Sequence, residues 1–189
     1  MIPYLNKINA FIETLDRVTL SALNGVSQSQ TFKKGSFLLS MDQTCKKSYV
    51  LESGIVRKYY LHDGKEITTE LLFKDDIAIS LYSYVQQVPS REFLQAITDV
   101  TVSTIDYKAF QALKKQYPSL IELDLLLTEY HALWLEERLF QFHTLNATAR
   151  YHLLLQKQPN VVQYIPLTHI ASYLGISLET LSRIRAKLA

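Results

Sequence analysis

One stretch near the end of the chain constrains what the rest can be: Pro166-Leu167-Thr168-His169-Ile170-Ala171-Ser172-Tyr173-Leu174-Gly175-Ile176-Ser177-Leu178-Glu179-Thr180-Leu181-Ser182-Arg183-Ile184-Arg185. Ile170, Leu174, Leu181 and Ile184 recur at helical spacing, with Ala171 beside the first pair. This predicts two short amphipathic helices, one on each side of Gly175. Ala171 sits where a second helix must cross closely, and a larger side chain would push the two apart. Gly175 follows the last periodic residue of the first helix, where a positive φ is needed and a missing Cβ makes it cheap. Ser177 precedes the second helix, where its hydroxyl can accept an orphan backbone N–H.

Ala-x3-Gly-x5-Leu-x2-Ile is the helix-turn-helix signature, in which the second helix enters the major groove of double-stranded DNA. That helix and its flanks carry Glu179, Thr180, Ser182, Arg183, Arg185 and Lys187, with Thr168 and Ser177 at the starts of the two helices. These eight residues form the candidate DNA-binding set. Charge supports them: residues 150–189 hold five Lys or Arg against the single acid Glu179, a net +4, whereas the whole chain is only +2. The competing reading is a packed helical hairpin whose Arg and Lys face water. In that case the chain is a ligand-sensing or protein-interaction module that does not bind DNA.

At 189 residues the chain can bury one large core or two small ones. No apolar run approaches the roughly 20 residues of a membrane span, and Met1-Ile2-Pro3-Tyr4-Leu5-Asn6-Lys7 lacks the features of a leader peptide. A cytoplasmic protein without a membrane partner is expected. Cys45 is the only cysteine, so a disulfide framework or thiolate-ligated metal cluster within one chain is excluded. It is read as a plain thiol in a loop.

Residues 4–24 place Leu5, Ile8, Phe11, Ile12, Leu15, Val18, Leu20 and Leu23 at helical spacing, ended by Gly25, for one or two helices leaning on the next domain. From Thr31 the period becomes strand-like. Two strands are expected about Lys34-Gly35, then Ser48–Leu51, Ile55–Tyr60, and a partner strand Glu66–Phe73 across the Asp63-Gly64 hairpin turn. Further strands are expected at Arg91–Ile97 and Thr101–Ile105, which makes a small antiparallel barrel or sandwich. Asp106 caps a short helix through Lys114. A long helix follows Pro118 to about His143 with two stripes. Leu120, Leu123, Leu127, Tyr130 and Trp134 would pack on the barrel, and Leu126, Leu133 and Phe140 would meet a sister helix across a two-fold axis. Asn146 caps a helix from Ala147 to Lys157, and Val161–Ile165 is read as a short strand.

Barrel, long helix, helix-turn-helix: in that order the chain resembles a Crp/Fnr-type transcription regulator from Thr31 onward. The best match is Ser177-Leu178-Glu179-Thr180-Leu181-Ser182-Arg183, close to the family's S-R-E-T-V-S-R. Phe32-Lys33-Lys34-Gly35, the Tyr49–Gly54 turn and Asp63-Gly64 match more loosely. The resemblance implies an α+β protein: an N-terminal antiparallel β-barrel of the jelly-roll, cyclic-nucleotide-binding-like type (residues 1–118), a dimerisation helix and hinge (119–145), and a helix-turn-helix domain (146–189). By resemblance Glu179 and Arg183 read base edges and Thr180 touches phosphate. Independently, Glu can accept from a cytosine amino group and Arg can bond guanine O6 and N7 with both prongs. Four residues apart on a helix, the two share a face. Arg185 and Lys187 are assigned to phosphates. Double-stranded DNA, a second copy of the chain and RNA polymerase are the partners the resemblance brings.

Three departures stand out. Leu178 replaces an arginine frequent in the family, so one base contact is lost. The sequence ends at Ala189, where many relatives continue into a wing. The third concerns the cassette of cyclic AMP binders, a Gly-Glu pair followed about ten residues later by Arg-Ser or Arg-Thr. Here Ile79-Ser80 stands for Gly-Glu, Ser90 for the arginine, and Arg91 comes one place late, which in a strand turns it to the other face. Cyclic AMP is therefore not the expected effector. Ser80, Tyr82, Ser83, Tyr84 and Arg91 form a candidate pocket for some other ligand, or the tyrosines simply plug the barrel. No cofactor motif is present. A haem ligand could come from His62, His131, His143, His152 or His169, and nothing singles one out. A cupin-type enzyme needs clustered His and carboxylates on adjacent strands. The barrel region holds only His62, and Asp75-Asp76 reads as a solvated turn, so no enzymatic activity is expected.

Overall fold

The computed structural model describes residues 2–187. The side chains of Ile2, Pro3 and Leu5 and the terminal residues Leu188 and Ala189 lie outside the description. Two compact units form, residues 1–27 with 105–145 and residues 28–104 with 146–189.

The first unit is helical. α1 (Ile2–Thr14) and α2 (Arg17–Val26) are separated at Asp16, whose carboxylate accepts the Val18 and Thr19 N–H groups, both at 2.9 Å. Gly25 does not end α2, which runs one residue further. α4 (Tyr107–Gln116) starts on Asp106, which caps Lys108 and Ala109, and outlasts the predicted end at Lys114. α5 (Ser119–Thr144) is the long helix expected after Pro118. Leu120, Leu123 and Leu126 of α5 bury themselves with Ile8, Leu15 and Leu113, and with Phe11, Leu20, Leu127 and Tyr130 half-buried around them. The Leu120 stripe thus packs on helices of its own unit. Trp134 of that stripe lies outside this core, half-buried and stacked on His131.

Of the predicted dimer stripe, Leu126 is in that core at 5% exposure, while Leu133 and Phe140 are exposed at 42% and 59%. A different row stays in solvent: Ile121, Leu125, Thr128, Ala132, Leu135, Leu139 and Phe142, at alternating spacings of four and three. That is a coiled-coil repeat one position ahead of the stripe read from sequence.

The second unit begins with two four-stranded sheets. One orders β1 (Ser27–Phe32), β8 (Val100–Asp106), β3 (Lys47–Ser53) and β6 (Ile77–Ala78) as β1-β8-β3-β6. The other orders β2 (Phe37–Leu39), β7 (Glu92–Ala96), β4 (Val56–His62) and β5 (Lys65–Leu72) as β2-β7-β4-β5. The strands make an antiparallel jelly roll that does not close into a barrel. β4 and β5 form the hairpin predicted at Asp63-Gly64, where both residues have positive φ (48° and 72°), as a tight turn requires. The Asp75-Asp76 turn is only half solvated. Asp75 is exposed, whereas Asp76 accepts the Phe73 N–H at 2.8 Å and burial pushes its carboxyl up to about 6.

After α6 (Ala147–Lys157), residues Val161–Tyr164 form the short helix α7 and not a strand. Val161 and Ile165 are buried, a spacing of four that turns both toward one core, whereas a strand would also place them on one face. Periodicity alone cannot separate the two over five residues. α8 (Leu167–Leu174) and α9 (Leu178–Ala186) complete the chain. Their Ile170, Ala171, Leu174, Leu181 and Ile184 share one core with Tyr151 and Leu154 of α6 and with Ile55, Leu71 and Ile97 of the roll.

Candidate nucleic-acid interface

The helix-turn-helix is built as its sequence requires. Gly175 adopts φ 66° and ψ 39°, and the Ile176 N–H returns to the Ala171 carbonyl at 3.0 Å, closing the end of α8. Arg150 donates from Nε and Nη2 to the Leu174 carbonyl at 3.1 and 3.0 Å, so this base supports the turn. Ser177 Oγ accepts the Thr180 N–H at 3.1 Å and lies 3.2 Å from the Thr180 hydroxyl.

Leu181 and Ile184 point inward, which leaves Glu179, Ser182, Arg183, Arg185 and Lys187 exposed. Thr168 and Ser177 are exposed at the two helix starts and Thr180 is half-buried. All eight candidate residues lie on or beside α8 and α9. A backbone N–H, the Ser177 hydroxyl and the Arg183 charge hold the Glu179 carboxyl below its usual range. An anionic acceptor and a cationic donor are therefore presented together on one solvent-facing helix side. Leu178 is also exposed.

The other face of the motif is strapped to the roll. Ser172 Oγ accepts the Thr68 N–H at 2.9 Å and donates to the Glu66 carbonyl at 3.1 Å, supplying the edge strand β5 with the bonds a further strand would give. Arg57 of β4, 1% exposed, donates to His169 Nδ1 at 2.5 Å, Glu66 Oε2 at 2.6 Å and Gln95 Oε1 at 3.0 Å. Its guanidinium also lies 3.9 Å from the Tyr59 ring centre. Arginine cannot accept, so Nδ1 is unprotonated and His169 is the neutral Nε2–H tautomer. Burial first and the Arg57 charge second push its pKa down. Sequence reasoning missed this joint, because Arg57 reads there as one residue of an ordinary strand.

The buried serines among the candidate ligand residues of the roll are hydrogen-bonded to their neighbours. Ser80 donates to Glu92 Oε2 at 2.8 Å, and Ser90 Oγ lies 3.0 Å from both Ser80 Oγ and the Glu92 carbonyl. Ser83, buried, donates to the Val88 carbonyl at 2.5 Å and accepts the Cys45 N–H at 2.9 Å. Lys58 and Glu70 make a buried ion pair across β4 and β5. Tyr84 is buried, whereas Tyr82 and Arg91 are exposed and stacked on each other at 5.3 Å. Arg91 thus points outward with Tyr82, whereas Ser80, Ser83 and Tyr84 are buried. Cys45 is a buried loop thiol whose pKa burial raises.

Residues 29–117 match the family model of the cyclic nucleotide-binding domain. FixK2 of Bradyrhizobium japonicum is similar at TM-score 0.74 and 20% identity, covering 86% of this chain and 84% of that one. A protein of Eubacterium rectale described as a transcriptional regulator of the Crp/Fnr family gives 0.73 and 19%, covering 92% and 83%. The c-di-GMP responsive global regulator CLP of Xanthomonas campestris gives 0.70 and 15%, covering 92% and 91%. No curated protein sequence matches the chain. Among the described residues no helix is long and apolar enough to cross a membrane.

The neutral His169 sets a pH dependence. With its folded pKa below the ordinary 6.5, the unfolded chain binds the proton first as pH falls. This contribution to stability is complete above about pH 6.5 and is lost through the folded pKa. Urea unfolding at pH 7.5 and 5.5 should show the loss. His169→Gln, which keeps an acceptor for Arg57, should reduce it.

Proposed function

We propose that this chain, which carries a cyclic nucleotide-binding domain on residues 29–117 within the fold of the Crp/Fnr-type regulators, is a sequence-specific, DNA-binding transcriptional regulator of the cytoplasm. The observation that carries the reading is the outer side of α9. It presents Glu179, Ser182 and Arg183 to solvent, while the inner side locks the helix into a core shared with the roll. Glu179 and Arg183 read base edges in the major groove, and Thr180, Arg185 and Lys187 hold phosphates, with Thr168 and Ser177 at the margin.

The working form is a homodimer joined through the exposed Ile121–Phe142 row of α5, two copies offering two reading helices to half-sites about one helical turn apart. The effector is not cyclic AMP. Ser80 and Ser90 stand where the cassette of cyclic AMP binders holds its glutamate and arginine, and they are bonded to each other and to Glu92. No arginine from that stretch reaches the interior.

Binding to genomic DNA fragments should lose its site preference in Arg183→Ala, by about 1–3 kcal/mol of discrimination. Lys187→Ala should weaken all sequences alike and lower the salt slope by about one. Equal loss of specific and bulk binding in both variants would contradict these roles. Calorimetry with cyclic AMP should show no heat at micromolar concentrations, and a clear isotherm would overturn the account of Ser80 and Ser90. Sedimentation at micromolar concentration should report a dimer, with Leu139→Glu shifting it to monomer. A dimer indifferent to that change would place the interface elsewhere.

A further inference from the structure

A cavity of about 480 Å³ lies within the second unit, between the roll and the segment of α7 and α8. This is within the roughly 300–1,000 Å³ range of small-molecule sites. Lys34, Gln95 and Ile97 belong to the roll wall, and Gln163, Leu167 and His169 to the helical wall. None of the residues lining it is Asp or Glu. The nearby Asp99 is already held by Lys33 Nζ at 3.0 Å and the Lys34 N–H at 2.9 Å.

The polarity of the walls is set by Arg57, which stands behind them. By donating to Gln95 Oε1 it turns that amide so that the NH2 group lies on the Gly35 side, 3.4 Å from the Gly35 carbonyl, and Gly35 lines the cavity. By donating to His169 Nδ1 it leaves Nε2 as a donor. Two side chains that could present either a donor or an acceptor are thus both fixed as donors. The exposed ammonium of Lys34 adds a positive charge. Pro166 begins α8 without a side-chain cap, so that end adds partial positive charge. Of the remaining lining, Ala96, Ile97, Val162, Ile165 and Leu167 are apolar, while Gln163 and Tyr164 bring one amide and one hydroxyl.

We propose that this seam binds a small amphipathic monocarboxylate, its headgroup among Lys34, Gln95 and His169 and its hydrocarbon body along Ile97 and Leu167. A bare inorganic anion would leave the apolar lining wet, and an amine headgroup placed there would meet the Lys34 ammonium and the two donors that Arg57 fixes. Because one wall is the roll and the other leads directly into α8, the occupied site braces the joint on which the helix-turn-helix sits.

Calorimetric titration of the full chain with octanoate, beside octan-1-ol and octylammonium, tests this. Octanoate should bind saturably at one site per chain, with a Kd near or below about 1 mM for so small a ligand and roughly tenfold tighter than the other two. Lys34→Glu, at an exposed side chain, should weaken octanoate about tenfold. Leu167→Trp, which fills the cavity, should abolish binding, with circular dichroism and the urea midpoint confirming that each variant is folded. Absence of saturable octanoate binding, equal binding of octylammonium, or unchanged affinity in Lys34→Glu would overturn the proposal. None of these readouts uses DNA, so their failure and the failure of the DNA-binding reading are separate results.

Discussion

The buried guanidinium of Arg57 is the interaction on which the second unit depends. A charge at 1% exposure is tolerated only where partners replace water. Here Glu66 supplies the countercharge, Gln95 and His169 supply neutral acceptors, and the Tyr59 ring covers one face. Nε alone makes no hydrogen bond. Because one of the three acceptors comes from α8, Arg57 has all three only when the helix-turn-helix is seated. Removing either side would leave that ion short of a partner, which costs more than a surface contact ever returns. The joint is thereby specific as well as tight: the apolar core of Ile55, Leu71 and Ile97 against α8 and α9 could slide, but the hydrogen bonds of Arg57 and Ser172 fix one register.

The interior of the roll follows the same rule with different residues. Lys58 and Glu70 face each other across β4 and β5 and neutralise one another. Ser80, Ser90 and Glu92 consume their own hydrogen-bonding capacity. A ligand entering this space would have to replace bonds already made. Each is worth roughly 0.5–1.5 kcal/mol net, and several must break together. At the seam the exchange is smaller, because the Gln95 NH2 group is held by a long 3.4 Å bond to the Gly35 carbonyl. Effector chemistry is therefore easier to place at the joint than at the position used by cyclic AMP-binding relatives.

The local devices were legible in the sequence because each depends on a single residue type. Gly175 for a left-handed turn, Ser177 and Asn146 as caps, and Asp63-Gly64 for a hairpin all stand where the sequence puts them. What a face packs against was not legible. Two apolar stripes on α5 were visible, but the choice of α1 and α4 as partners, which buries Leu126 and leaves Leu125 in water, is made by tertiary packing. The five residues Val161–Ile165 suit a strand or a helix equally, and the core decided for a helix. Arg57 was invisible for the same reason: Ile55-Val56-Arg57-Lys58-Tyr59-Tyr60 alternates poorly, because β4 is buried on both faces with a basic residue turned into each. No periodicity announces a buried charge, since its partners lie far along the chain.

The two helices of the motif divide their labour. α8 gives His169 and Ser172 to the roll, and α9 gives Glu179 and Arg183 to solvent. Gly175 fixes the angle between them, so whatever sets α8 on the roll also sets the direction in which α9 presents Glu179 and Arg183. A ligand can shift that setting only by its differential affinity for two arrangements of the joint. Moving the motif off the roll means giving up the Ser172 bonds and the Arg57–His169 bond, a cost of a few kcal/mol by ordinary hydrogen-bond values. That is within what a small molecule can supply when its own contacts exist in only one arrangement. The setting of α9 is thus governed by the balance at β4, β5 and α8, and by linkage any ligand that α9 holds in one setting only would shift that balance in return.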